Sequence, residues 1–234
     1  MAGPPYPPEW LALLEGLKPA LRLWRDDARA IAEIRAAERR GFATARSPLP
    51  AAGPRGPQSI VYLARTPAAA EALRALEEPI LPTRGVAALS TDHVARHRAL
   101  GLALGFPGCC IDAFLARLVR GVDRLANGDV AHEDHVAVCD ALGLSQALHA
   151  RLNMFPRDHG ATWLSHVPCR FDCAPSIAYA DVLHAAFHRR DPAAAAGIDA
   201  GLGTGVAIAQ DGRRTALDDA PPGACRLVFA AAEA

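Results

Sequence analysis

The sequence predicts an α+β protein, mainly helical, in which a helical core domain carries a small flanking β-sheet. Three observations predict it. From Thr91 to Arg190 the chain reads as successive helical segments broken by Gly and Pro. Short segments at Ile60–Leu63, Val206–Ala209 and Arg226–Phe229 have strand character and flank that region. At 234 residues, with 51% apolar and 21% charged side chains, the chain can bury a sizeable core. The expected division is N-terminal helices and a Pro/Gly-rich linker over 1–58, a mainly helical cysteine-motif domain over 59–190, and a hairpin-like C-terminal segment over 191–234 packing on it.

The elements follow in order. Trp10, Leu13, Leu14 and Leu17 make a helical stripe that stops before Pro19. A second helix runs from about Asp26 to Arg40, with Ile31 and Ile34 on one face and Gly41 just past its end. Residues 42–58, which hold Pro48, Pro50, Pro54, Gly53 and Gly56, read as a loop. Thr66 is an N-cap, and Pro67 suits the first position of a helix reaching Glu77. Further helices are expected over about 91–104, from the cysteine pair to near Gly121, and over 130–142, 145–153 and 175–190. An Ala-rich segment then leads to the last strands, with Asp211-Gly212 as a turn signal.

Composition excludes several function classes. The formal charge is zero and no basic stripe is present, so no nucleic-acid partner is expected. The single lysine, Lys18, among many arginines reads as compositional bias rather than function. No apolar stretch is long enough to span a membrane, and Met1 to Pro8 does not read as a secretory signal. A cytoplasmic location is the expectation, and there clustered cysteines point to metal or redox chemistry rather than to stapling disulfides.

Four of the six cysteines fall in two compact clusters. Cys109 and Cys110 follow the turn Gly105-Phe106-Pro107-Gly108 and open a helix. Cys169 and Cys173 lie between Pro168 and Pro175, just before the 175–190 helix. Thiols in the first turn of a helix meet free amides and the positive end of the macrodipole, which favour the thiolate as ligand or nucleophile. Core packing accounts for Cys139 and Cys225.

The Cys169/Cys173 spacing suits structural zinc. The adjacent pair argues against a single zinc, because consecutive side chains are expected to diverge. A 4Fe-4S iron-sulfur cluster lets neighbours ligate different irons, so it is the leading expectation, with zinc as the alternative. Cys169-x3-Cys173-x2-Ser176 approaches the three-cysteine loop of radical-SAM enzymes, but Ser176 stands at the third position and repeated βα units are missing.

Among the other polar residues, His166 is a further candidate ligand or proton donor, and Asp172 is a candidate acid-base group. Asp112 and Ser176 are expected around the site, as a helix-terminus charge and a hydrogen-bond donor to sulfur. His93 and His97, one turn apart, read as exposed helix residues. His132-Glu133-Asp134-His135 is one residue too short for a zinc-protease helix. Gly201 to Gly205 reads as a loop.

Leu104 to Phe114 (LGFPGCCIDAF) together with His166 to Ser176 (HVPCRFDCAPS) resembles a prokaryotic domain-of-unknown-function family, number 483, over about residues 59–190. The resemblance implies that Cys109, Cys110, His166, Cys169, Cys173 and Ser176 form one site, and it carries no established activity. Three functions stay open: an iron-sulfur protein with a redox or sulfur-metabolism role, a metal-free thiol-disulfide oxidoreductase, and a zinc-stabilised non-catalytic module. Substrate and redox partner are not readable.

Overall fold

The computed structural model describes residues 8–24, 28–49, 51–53, 56–80, 90–120, 145–154, 162–203, 205–209 and 214–230. Among them the class is α+β and mainly helical. The strands divide among separate sheets of three, two and four strands, so the 60–64 strand does not join the C-terminal ones.

The three-stranded sheet has β5 (Ile60–Ala64) at its centre, antiparallel to β1 (Ala20–Trp24) and β2 (Ala43–Arg46). All five β5 residues are buried because both faces are covered. Ile60, Tyr62 and Ala64 pack toward α3 (Pro67–Glu77) and α4 (Thr91–Ala103). Val61 and Leu63 pack toward α1 (Pro8–Leu14) and α2 (Ala28–Arg39). Alternation along one strand thus feeds two cores. Thr66 caps α3, its hydroxyl accepting from the Ala69 N–H, with Pro67 in the first turn.

The second region joins α6 (Ala174–Arg190) and α7 (Pro192–Leu202) to a sheet of order β6-β9-β7-β8, comprising Ser145–His149, Cys225–Ala230, Val206–Ile208 and Arg214–Thr215, while α5 (Gly108–Arg120) packs on α4 and reaches this core through Cys110. β6 and β9 are parallel; the other pairs are antiparallel. Cys225, Leu227 and Phe229 alternate inward, and Phe171, Trp163 and Leu183 belong to the same core. α1 packs on α6 and links the two regions.

Several expectations are corrected. Residues 145–152 form β6 and a 3-10 turn rather than a helix; Leu148, Ala150 and Leu152 are buried at every second position, and pairing with β9 overrides helix propensity. The 42–58 loop holds β2 and a small hairpin of β3 (Ala51–Gly53) and β4 (Gly56–Gln58), recruited by the open edge of β5 and by each other. The Ala-rich segment is α7, started by Asp191, whose carboxylate accepts from the Ala194 N–H. Gly201 lies within that helix rather than in a loop, and Gly203 caps its end. The 130–142 helix, Cys139, the 132–135 motif and the Asp211-Gly212 turn lie outside the described residues. No helix of the described residues is long and apolar enough to cross a membrane.

The turn into α5 depends on Gly105, which has φ +78° and ends α4 in a Schellman arrangement: Phe106 N–H donates to the Gly101 carbonyl and Gly105 N–H to that of Leu102. A Cβ at Gly105 would lie 2.8 Å from Pro19 Cδ. Gly105→Ala is therefore expected to destabilise the protein by more than about 1 kcal/mol in urea denaturation.

Candidate metal centre

Two helix starts converge to build the site. The Pro107 carbonyl accepts from the Cys110 and Ile111 N–H groups, which puts Cys109 and Cys110 in the first turn of α5. Cys173 is the N-cap of α6, its carbonyl accepting from Ile177 N–H. Cys169 lies on the irregular segment leading to it. The Sγ atoms of Cys109 and Cys110 are 4.0 Å apart, and each is 3.7 Å from Cys173 Sγ. All four sulfurs, Cys169 included, lie within 4.8 Å of one another, a group able to hold a metal ion. Adjacent cysteines therefore do converge. Cys109 is exposed, Cys169 half-buried, and Cys110 and Cys173 are buried.

Ser176 is fully buried, its Oγ 3.3 Å from Cys110 Sγ and 2.9 Å from His166 Nε2. The Cys169 N–H also donates to Cys110 Sγ, at 3.3 Å. With Cys110 as a thiolate, the one Ser176 proton goes to sulfur and its oxygen accepts from His166 Nε2–H. His166 is thus one residue removed from the sulfurs, acting through Ser176. Asp112 and Asp172 turn outward into exposed ion pairs with Arg98, at 2.5 Å, and Arg170, at 2.8 Å. His93 and His97 are half-buried rather than exposed: His93 Nδ1 lies 2.6 Å from Ser90 Oγ, and His97 packs edge-on against Phe114.

Burial pushes Cys110 up to about 11 despite hydrogen bonds from Ser176 and the Cys169 amide. Burial and the charges of Cys110 and Cys173 raise Cys169 further. At Cys173 burial also opposes the thiolate, but hydrogen bonds from Ser176 and from neighbouring thiols outweigh it and hold the group below the ordinary range. Cys173 thus favours the thiolate while Cys110 and Cys169 resist it, a balance that a bound cation would tip toward thiolates, with protons released on binding.

Sequence reasoning missed a second polar cluster against this wall. Lys18 Nζ lies 2.5 Å from Glu9 Oε1, 2.6 Å from Ser165 Oγ, and 5.1 Å above the Phe106 ring. Phe106 in turn packs against His166, with ring centroids 5.3 Å apart. The one signal was Lys18 itself, a lone lysine in an apolar context.

Burial, and secondarily the Lys18 charge, lower His166 to about 4, with Glu9 opposing. The folded state then binds a proton less readily than the unfolded chain, whose histidine titrates near 6.5. Stability from this group is full above pH ~6.5 and is lost as pH falls toward ~4, by about 3 kcal/mol in all. His166→Asn is expected to flatten that part of the stability–pH curve, measured by urea denaturation of metal-free protein.

Comparison with family models, with curated proteins and with solved structures found no match to this chain.

Proposed function

We propose that the chain is a metal-thiolate protein whose Cys109, Cys110, Cys169 and Cys173 bind a single tetrahedral ion, zinc first, fastening α5 to the segment that enters α6. The sulfur spacing carries this reading. Metal–sulfur bonds of about 2.3 Å in a tetrahedron set sulfurs about 3.8 Å apart, and three pairs here lie at 3.7, 3.7 and 4.0 Å. A four-iron cubane seats each thiolate on a different iron and needs sulfurs spread wider than the 4.8 Å span of this group. The supply of all four ligands by cysteine also favours a closed, structural site over a catalytic one with an open position. The family resemblance, which implies one site from the same two motifs, agrees with this reading.

Iron is the second reading, as a single ion in the same sulfur set or as the cluster expected from the sequence. Its support is the exposure of Cys109 and the two hydrogen-bond donors on Cys110 Sγ, features that set potentials at iron-sulfur centres. Anaerobic purification followed by zinc, iron and sulfide assays and a visible spectrum tests both. One zinc per colourless chain is the expected result. Iron with visible absorption selects the second reading. A metal-free protein whose thiols cycle reversibly overturns both in favour of a thiol-disulfide oxidoreductase.

A further inference from the structure

We propose that the buried Lys18 ammonium, held by its pairing with Glu9, is the charge-compensating positioning residue of the four-cysteine centre. The inference rests on the metal-thiolate reading. A divalent ion with four thiolates carries two net negative charges, and in a weakly solvated site these need an opposing charge nearby.

Lys18, the only lysine of the chain, is 3% exposed. Its bonds to Glu9 and Ser165 and its place over Phe106 hold the ammonium against the two segments that carry the sulfurs. Ser165 precedes His166, which reaches Cys110 through Ser176; Phe106 precedes Pro107, whose carbonyl opens α5. Lys18 is the more enclosed member of the pair, its side chain 4% exposed against 29% for Glu9, although both reach Ser165. At His166 the Lys18 charge outweighs that of Glu9. The other ion pairs flanking the cysteines, Asp112–Arg98 and Asp172–Arg170, are at least half exposed and are screened by solvent. Buried pairs add little net stability, so facing the anionic centre accounts better for the placement of this one.

The test is chelator competition for zinc in the full chain. Lys18→Met is expected to weaken zinc about tenfold. Glu9→Gln, which leaves the ammonium unopposed, is expected to tighten it, and Lys18→Arg to stay near wild type. Lys18→Met and Glu9→Gln break the same contact, so a merely structural pair would shift both in one direction. Both weakening, or neither changing, overturns the inference while the metal reading stands. Wild-type protein that holds neither zinc nor iron overturns both. If Lys18→Met fails to fold by circular dichroism, Glu9→Gln against Lys18→Arg decides.

Discussion

Stripping the metal from the full chain is expected to lower its unfolding free energy by about 4 kcal/mol, the linkage value for a free metal concentration about a thousandfold above the dissociation constant. The ion would join α5 to the start of α6, and both buried ligands, Cys110 and Cys173, belong to the large core that also holds Trp163, Phe171 and Phe229. Loss of the ion leaves four sulfurs within 4.8 Å of one another with no cation between them. Cys173→Ser should reproduce the loss, since it removes the N-cap ligand of α6. Cys109→Ser should cost less stability, because that side chain is exposed. Urea denaturation with and without a chelator checks this. Equal stability in both would mean the cysteines hold nothing under those conditions.

Glu77→Ala is expected to cost about 3–5 kcal/mol, the usual penalty for removing one partner of a buried charge pair. Glu77 is buried at the end of α3; its two oxygens accept from Arg22 Nε at 2.8 and 2.7 Å, and Oε2 accepts from the Tyr62 hydroxyl at 2.8 Å. That carboxylate binds β1, β5 and α3 together. Burial first, and then Glu77, push the Tyr62 hydroxyl well above its usual range, so it stays a neutral donor. Tyr62→Phe, which removes one hydrogen bond to the charged carboxylate and leaves the Arg22 pair, should cost less, about 1.5–3 kcal/mol. Neither change touches the cysteines, and the metal content of folded protein should stay at wild-type level. Denaturation with parallel metal assays tests both statements.

Much of the architecture could be read from local signals. Thr66-Pro67, Gly41 and Gly105 mark helix ends that the structure places there, because caps and left-handed turns depend on a few adjacent residues. Strands β1 and β2 could not be read the same way. Their Ala- and Arg-containing sequences lack β-branched enrichment, and they are strands because each pairs with β5 from far along the chain. The gathering of sulfurs was foreshadowed by two Gly/Pro-framed cysteine pairs. Their mutual spacing was not, since it depends on how α5 and α6 approach. The expectation that adjacent cysteines diverge is the clearest casualty, with 4.0 Å between their sulfurs. Likewise, the placement of Lys18 depends on contacts to Glu9 and Ser165 that no local pattern reveals.

X-ray absorption at the metal edge of the purified, loaded full chain tests the central claim most directly. The account predicts four sulfur ligands at one distance of about 2.3 Å and no neighbouring metal. A metal–metal scattering path, or nitrogen and oxygen in place of any sulfur, would contradict it.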